Sequence, residues 1–356
     1  MTYEKRWKAV RRVMEKSRAS AFVVQSPNNI RYLCCTHLYT AAPPTYLVFH
    51  GEDDPIAITS WLEMNRTALE CDVGTVRVWG NLPGKRSDAK KAPLALKKVL
   101  GELGARKALA DRTVDGVKDV KFKVTGVIEK LRSVKSDGEI ATLRKAAKVA
   151  DLGAKELPRI LAESTTELEV ANELDHFLRA EGVQAVAFPT IIAAGPHSAY
   201  PHHDNADYPV RDRAVICDFG VYVDGYCSDI TRTFLNGEVD ERLGEAYDGV
   251  RAAVVAGTRE VRPGRPIKMV DLACRQVLRD RGLDGYFVHS TGHGIGLEVH
   301  EAPTAGPRSK DIMKKGMVFT IEPGVYIPGL GGIRIENDVL VTSGGAEVLT
   351  KAKYTL

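Results

Sequence analysis

The sequence predicts an α/β domain over residues 1–132, followed by an α+β domain over residues 133–356. A chain of 356 residues has the length of two ordinary domains. Short apolar runs alternate with helical patterns up to about residue 111, which is typical of an α/β domain. Beyond about residue 185 the strands are joined by tight turns. That pattern is typical of an antiparallel sheet with helices on one side.

In the first half, Trp7, Val10 and Met14 recur at helical spacing and predict a helix over residues 4–17. The sequence SPNN at 26–29 predicts a turn, because proline and asparagine favour turn conformations. Further helices are predicted over 92–104 and 115–132. Buried strands are predicted at 21–25, 46–50, 55–59, 73–80 and 107–111.

In the second half, Ser136-Asp137 predicts the start of a helix that continues through Leu152. Another helix is predicted over 166–182, where Gly182 is a typical residue after a helix end. Asp224-Gly225 between two apolar strands predicts a hairpin. Two more helices are predicted over 239–259 and 267–282.

Composition excludes several classes of protein. The formal net charge is only +4, and the charged stretches are short and mixed, so we expect no nucleic-acid partner. The N-terminal sequence MTYEKRWKAVRRVMEK is charged throughout and is not a secretory signal. No apolar run reaches the roughly 18 residues of a membrane span. The six cysteines include no C-x-x-C pair, so we expect reduced thiols and a cytoplasmic protein.

Two acidic residues lie on the predicted hairpin. Asp218 and Asp229 are separated by the turn at Asp224-Gly225. In a two-residue hairpin, residues an odd number of positions apart face the same side, so both carboxylates project from one face. Two carboxylates on one apolar strand pair repel each other, and some other group must compensate for that repulsion.

The same arrangement recurs near the C-terminus. Glu322 in FTIEPG and Glu336 in IRIEN flank a glycine-rich loop. An odd-length loop centred on Gly329 would place both carboxylates on one face. Each acid alone is better explained as an exposed strand residue paired with a nearby arginine, such as Arg232 or Arg334. Four acids on apolar strands are not, because burying even one unpaired charge costs several kcal/mol.

Divalent cations would remove this repulsion. Four carboxylates and a histidine from the glycine-rich stretch STGHGIGLEVHEAP (290–303) suit Mn, Co or Zn. Two cations that share carboxylates form a known centre for the attack of water on a substrate. The stretch itself matches neither a dinucleotide loop, because Leu297 replaces the last glycine, nor an H-E-x-x-H zinc helix, because Thr304 replaces the second histidine.

The second half of the chain contains four ordered motifs, DFGVYVDGYCSDITRTF, GHGIGLEVHEAP, FTIEPGVY and GGIRIEND. Together they resemble the pita-bread metallopeptidases, the group that contains proline dipeptidase, aminopeptidase P and methionine aminopeptidase. The resemblance covers most of residues 135–356 and implies a curved antiparallel sheet with flanking helices in the second domain. The sequence SPNNIRYL (26–33) is similar to the creatinase-type N-terminal domain of the group.

The resemblance also implies a site with two divalent ions per subunit, most often Mn²⁺ or Co²⁺, with Zn²⁺ also possible. Glu322 would help to move the proton of the attacking water, and His300 would contact the substrate and the developing oxyanion. His202 in SAYPHHDNAD matches a second catalytic histidine, although His203 is adjacent to it and similar enzymes often have glycine there. The implied metal ligands are Asp218, Asp229, His293, Glu322 and Glu336.

Other residues have roles implied by the same resemblance. Phe188 and Val299 match positions that line the apolar slot for a proline ring. Thr231, Arg232 and Arg334 are expected to orient the metal-binding carboxylates. A homodimer is also expected from the resemblance.

The resemblance leaves the choice of substrate open. A large first domain argues against methionine aminopeptidase, and the complete set of five ligands argues against creatinase and against a non-catalytic binding homologue. A dipeptidase that cleaves Xaa-Pro must recognise a free carboxylate, for which a bidentate arginine is well suited. Many similar dipeptidases have an arginine directly after H-E-x-P, whereas this chain has Thr304, and the nearest cation is Arg308. The compact length favours an Xaa-Pro dipeptidase, and aminopeptidase P acting on longer peptides is the alternative.

Overall fold

The computed structural model describes residues 3–34 and 44–354, and the chain divides into two compact units, Met1–Arg132 and Ser133–Leu356. Among the described helices, none combines the length and apolar character needed to cross a bilayer.

The first unit is built on one mixed sheet of six strands, in the order β4-β3-β2-β1-β5-β6. The central β1 pairs antiparallel with β2 and parallel with β5. The strands are β1 (Ala21–Val24), β2 (Tyr46–Phe49), β3 (Ile56–Ser60), β4 (Thr75–Trp79), β5 (Lys107–Ala110) and β6 (Lys121–Val124). The helices are α1 (Tyr3–Ser17), α2 (Pro27–Cys34), α3 (Met64–Glu70), α4 (Ala92–Glu102) and α5 (Val127–Arg132).

Apolar residues at helical spacing attach the helices of this unit to its sheet. Trp7 of α1 is buried, packs edge-on against Phe49, and donates its indole N–H to the carbonyl of Leu33 at 2.8 Å. Helix α4 buries Leu96 and Leu100 in the same core as the central strands. The helices predicted over 4–17 and 92–104 and the five predicted strands are therefore present.

Two local predictions in this unit are wrong. Residues 26–29 begin helix α2 instead of forming a turn, because Pro27 suits the first helical position and Asn29 is held by tertiary bonds. Its amide donates to Asp111 at 2.9 Å, and its oxygen accepts from Arg132 at 2.9 Å. The helix expected over 115–132 is instead strand β6 followed by α5, because the alternating sequence KFKV pairs with β5.

The second unit contains short antiparallel strands and four long helices among its described residues. The helices are α6 (Asp137–Glu163), α7 (Glu167–Ala180), α8 (Glu241–Glu260) and α9 (Lys268–Arg279). The first strands are β7 (Ala185–Val186), β8 (Ile191–Ala194), β9 (Arg213–Phe219), β10 (Val221–Val223), β11 (Tyr226–Cys227) and β12 (Ile230–Asn236). The remaining strands are β13 (Gly292–Gly294), β14 (Glu301–Ala305), β15 (Val318–Ile321), β16 (Gly324–Ile327), β17 (Gly331–Arg334), β18 (Asn337–Thr342) and β19 (Gly345–Val348).

The helix starts of this unit follow from capping. Ser136 and Glu139 form a capping box at the start of α6, and Thr166 and Glu169 form another at the start of α7. Each box satisfies backbone N–H groups that would otherwise lack partners. Helix α6 continues to Glu163, well beyond the minimum that the apolar pattern predicts.

The strands of the second unit form several antiparallel sheets that bury their apolar faces against the helices. One core joins α6 and α7 to β9 and β12, and another joins α8 and α9 to β15 and β17. Strands β8, β9 and β12 form one sheet, and strands β14, β13, β15, β18 and β19 form another. The α/β domain followed by an α+β domain is therefore confirmed.

Candidate active site

The first hairpin places two acids on one face. Strand β9 pairs with β12 so that Asp218 lies opposite Thr231. Asp229 precedes Thr231 by two residues and therefore projects toward the same side as Asp218. The backbone N–H of Asp229 donates to the carboxylate of Asp338 at 3.1 Å, which ties this strand to β18.

The second hairpin places two further acids opposite each other. The pairs Ile321↔Asn337 on one side and Gly324↔Arg334 on the other leave Glu322 facing Glu336 across the strands. The tip of this hairpin is the loop between Ile327 and Gly331. It is an odd-length loop centred on Gly329, as the sequence suggests.

His293 approaches the acids from strand β13, which lies between β14 and β15. Its Nε2 is 3.4 Å from Glu322 Oε1 and 3.7 Å from Asp229 Oδ2. Glycine is required on both sides of it, because a Cβ at Gly292 would lie 1.8 Å from the carbonyl oxygen of Thr320. A Cβ at Gly294 would similarly lie 2.2 Å from a backbone oxygen of the neighbouring strand.

The acids present oxygens that no described residue satisfies. Buried Oδ1 of Asp218, Oδ1 of Asp229 and Oε1 of Glu336 have no hydrogen-bond partner within the described ranges. Ligand atoms of Asp229, His293 and Glu336 lie within 4.8 Å of one another. Unsatisfied buried carboxylate oxygens beside an imidazole nitrogen are what a divalent cation requires, so these residues fit a metal centre.

Burial and repulsion between like charges shift the pKa values of the residues at the site. Burial, reinforced by Glu336 and Asp218, raises the pKa of Asp229 well above its ordinary value. Burial, together with Glu322 and Asp218, does the same to the pKa of Glu336. Burial raises the pKa of Glu322 to about 8, although Arg334 acts in the opposite direction. Burial and the neighbouring His300 lower the pKa of His293 to about 4, which keeps its imidazole neutral and able to bind a metal.

Two residues predicted to orient the carboxylates do contact them. Thr231 donates its hydroxyl to Glu336 Oε2 at 2.7 Å. Arg334 donates Nη2 to Asp218 Oδ2 at 2.7 Å and Nε to the Thr231 hydroxyl at 3.1 Å. These bonds direct one oxygen of each acid toward the protein and leave the other oxygen unpaired.

Arg232 differs from the expectation that it orients a carboxylate. Its guanidinium is buried on the opposite side of β12 from Thr231, because successive side chains alternate along a strand. Among the described residues it donates to the backbone carbonyls of Thr231, Glu336 and Ala352 and to the side chain of Asn337. It therefore fastens the backbone of β18 and the C-terminal segment.

A cavity of about 660 Å³ opens onto the five predicted ligands. This volume lies in the usual range for small-molecule sites. Its walls also include the predicted site residues Phe188, Val299, His202, His300 and Arg334. His203, the neighbour of His202, lines it as well, together with the unpredicted His289 and Tyr326.

Three further residues of the site, Tyr326, His289 and Asp338, are not predicted from the sequence. The hydroxyl oxygen of Tyr326 accepts a hydrogen bond from Arg334 Nη1 at 3.0 Å and lies 2.8 Å from His289 Nε2. Burial lowers the pKa of His289 to about 4. Asp338 accepts from the backbone of Asp229. Strand periodicity was the available signal, since Tyr326 and Asp338 lie at even offsets from Glu322 and Glu336.

We expect the metal-free protein to lose stability as the pH rises from 6.5 to about 8. The folded state retains protons on Glu322 above its ordinary pKa of 4.5, whereas the unfolded chain has released them. The free energy of unfolding then falls by up to about 1.4 kcal/mol per pH unit for each such proton. The buried histidines oppose this trend only below their ordinary value of 6.5.

Denaturant titrations of chelated protein between pH 6.5 and 8 measure this slope. Addition of Mn²⁺ should reverse it, because metal binding requires the deprotonated carboxylates. A flat or rising stability of the chelated protein across this interval would contradict the electrostatic description.

We further expect Glu336→Gln to stabilise the metal-free protein at pH 8 by about 1–4 kcal/mol, because a neutral side chain replaces a desolvated charge. The same change should lower the number of metal ions retained, as measured by elemental analysis. Glu347→Gln is the matched control, since Glu347 forms an exposed ion pair with Arg144. Its effect should stay within about 1 kcal/mol. A destabilised Glu336→Gln protein with a full complement of metal would refute the assignment.

Comparison with known proteins agrees with this geometry. Residues 141–343 match the group described as Metallopeptidase family M24, and residues 6–146 match the Creatinase/Prolidase N-terminal domain. Uncharacterized peptidase YqhT of Bacillus subtilis is 41% identical over 64% of this chain and 65% of its own length. Xaa-Pro dipeptidase of Pyrococcus furiosus is 40% identical over 67% of this chain and 69% of its own length. The chain thus aligns with about two thirds of the length of these curated relatives.

A solved structure extends the similarity over the whole chain. The Xaa-Pro dipeptidase from Bacillus anthracis superposes with a TM-score of 0.89 at 32% identity, covering 100% of this chain and 99% of that one. The site geometry and the matched region of 141–343 lead to one assignment. The chain belongs to metallopeptidase family M24.

Proposed function

We propose that this protein is an Xaa-Pro dipeptidase that uses two divalent metal ions per subunit. The observation that carries the proposal is the convergence of four carboxylates and one imidazole, with unpaired buried oxygens, on a cavity of about 660 Å³. The Xaa-Pro dipeptidases among its relatives support the choice of a proline-containing dipeptide as substrate.

The donor set supports the proposed ions. Asp218, Asp229, His293, Glu322 and Glu336 would hold them. Oxygen-rich ligands with a single imidazole favour Mn²⁺ or Co²⁺, with Zn²⁺ also possible. When bound, the ions supply Lewis-acid activation of a water molecule and of the scissile carbonyl.

Glu322 is suited to hold and release a proton during hydrolysis. Its Oε1 lies 3.4 Å from the Thr320 hydroxyl and 3.4 Å from His293 Nε2. In the metal-free protein burial raises its pKa to about 8. Bound cations would lower that pKa and favour the carboxylate form, which can accept a proton. We propose that Glu322 receives the proton of the attacking water and passes it to the leaving proline nitrogen.

His300 and His202 are suited to contact the substrate from the cavity wall. The ring of His300 lies 4.1 Å from that of His293 between centroids. Partial burial and the neighbouring His202 lower the pKa of His300, so the ring is neutral and donates one N–H. We propose that this donor stabilises the oxyanion that develops on the scissile carbonyl.

The apolar part of the cavity suits the proline ring. Phe188 and Val299 both line it, and a planar aromatic side chain beside a branched aliphatic one forms a slot for a small saturated ring. His300 lines the same cavity, so a proline ring held in this slot would lie within the cavity that contains the proposed oxyanion donor.

Aminopeptidase P is the second candidate, and one feature of the cavity favours it. Arg334 is the one arginine among the described lining residues, and Asp218 already engages it. Thr304 lines the cavity, whereas Arg308 does not. A free proline carboxylate would therefore be recognised by histidines rather than by an arginine fork, which is a weaker basis for strict dipeptide selection.

A homodimer and a cytoplasmic location belong to the same proposal. The homodimer is expected from the family resemblance, and the location is expected from the cysteine content.

We expect Xaa-Pro to be cleaved at least about tenfold faster, in kcat/KM, than the matching Xaa-Pro-Yaa. A dipeptidase gains transition-state binding from the free proline carboxylate, and about 1.4 kcal/mol of that binding gives a tenfold preference. The measurement compares Ala-Pro with Ala-Pro-Ala on manganese-loaded enzyme. Equal or faster cleavage of the tripeptide would assign the protein as an aminopeptidase P.

We expect His300→Ala to lower kcat about 10²–10³-fold, which is typical for removal of one oxyanion donor. KM and metal content should change little, because His300 is not a predicted ligand. His176→Ala is the control, since His176 is exposed on α7 and does not line the cavity. Full activity of His300→Ala would remove this residue from the chemistry.

A further inference from the structure

A second cluster of ionisable side chains lies outside the five predicted ligands. Glu167 is the first residue of α7 after the cap Thr166, and its side chain is fully buried. The rings of His197 and His203 lie against it, 4.5 Å apart between centroids. None of the proposed catalytic steps uses these three residues.

The carboxylate of Glu167 is saturated with hydrogen bonds. Its Oε1 accepts from the backbone N–H of Ala194 at 2.8 Å and from His197 Nδ1 at 3.0 Å. Its Oε2 accepts from the backbone N–H of Ala206 at 3.0 Å and from His203 Nε2 at 2.8 Å. An ionised carboxylate offers about four lone-pair sites and no donor, so both rings must donate and every site is used.

These four bonds fasten both ends of the segment that carries His202. The segment 194–206 leaves strand β8 and returns to the start of α7, and Glu167 holds it at 194, 197, 203 and 206. The carbonyl of Pro201 also accepts from Arg334 at 3.3 Å. The backbone on both sides of His202 is therefore held in place.

His202 itself depends on this backbone. It lines the cavity and is exposed, and its ring makes no hydrogen bond to any other residue in the described ranges. Because no described side chain bonds the ring, the direction of the His202 Cα–Cβ bond is the main constraint on where the ring can lie. The adjacent His203 fixes that direction through its bond to Glu167.

We propose that Glu167 is a positioning residue that holds His202 over the cavity through His203, with His197 as a second support. The proposal deepens the proposed peptidase function, on which its kinetic readout rests. Two imidazoles and a carboxylate are also a donor set that zinc uses. The four hydrogen bonds already occupy the oxygens of Glu167, however, so the cluster is complete without an ion.

Substitution of His203 tests the proposal without removing the buried acid. His203→Ala deletes the donor, whereas His203→Gln keeps an amide N–H close to the position of Nε2. We expect His203→Ala to lower kcat for Xaa-Pro about 10–100-fold, because small misplacement of a catalytic group has effects of this size. KM should change less than about threefold, and His203→Gln should recover most of kcat.

Glu167→Gln and Glu169→Gln form a matched pair of controls. Glu169 is two residues further along α7 and is exposed. Among the described residues its side chain bonds only Thr165 and Thr166 in the cap of its own helix. Glu169→Gln should retain the wild-type kcat. Glu167→Gln should resemble His203→Ala, because an amide N–H would face a buried donor in place of an acceptor.

A readout independent of catalysis separates this proposal from the proposed function. In protein labelled with ¹³C at histidine Cε1, the His202 signal should broaden or shift in His203→Ala and return toward its wild-type position in His203→Gln. If the wild type cleaves no Xaa-Pro peptide, the proposed function fails. The His202 signal still tests whether Glu167 and His203 position His202. An unchanged His202 signal in both variants, or a metal ion lost on Glu167→Gln while the five predicted ligands stay loaded, would overturn it.

Discussion

The repulsion between desolvated carboxylates is the constraint on which the second unit depends. Asp229 and Glu336 are buried, and Glu322 lies partly buried beside them. Burial is the main cause that raises the pKa of each, and neighbouring carboxylates add to it. Arg334 compensates part of the negative charge, but among the described acids it donates a hydrogen bond to only one oxygen of Asp218. Such a cluster is costly by itself. It becomes favourable when cations occupy the unpaired oxygens, so stability and metal binding are expected to be coupled.

Strand register delivers these groups to one place. Each hairpin contributes two acids from alternating positions, and the two hairpins are joined where Thr231 bonds Glu336. A further bond from the hydroxyl of Thr233 to the carbonyl of Arg334 at 2.7 Å holds the strands side by side. The ligands therefore stand on rigid strands, which limits the freedom that metal binding would otherwise remove. His293 can join them because Gly292 and Gly294 admit close neighbouring backbone.

The sequence was informative where the two-residue alternation of a strand determines the side to which each side chain points. Alternation along strands and the position of Gly329 were enough to place the acids of each hairpin on one face. Local patterns failed where distant residues decide the structure. Residues 26–29 become helical through bonds from Asn29 to Asp111 and Arg132, and β6 forms because β5 is available to pair with it. The hydrogen bond between Glu167 and His203 joins residues 36 positions apart, so no local sequence pattern predicts it.

Anomalous diffraction from a crystal grown with manganese would locate the bound ions. We expect two anomalous peaks among the carboxylates of Asp218, Asp229, Glu322 and Glu336 and the ring of His293. Their oxygens that lack a protein partner should face these peaks. Manganese bound elsewhere, with these five side chains directed away from any common centre, would contradict the account.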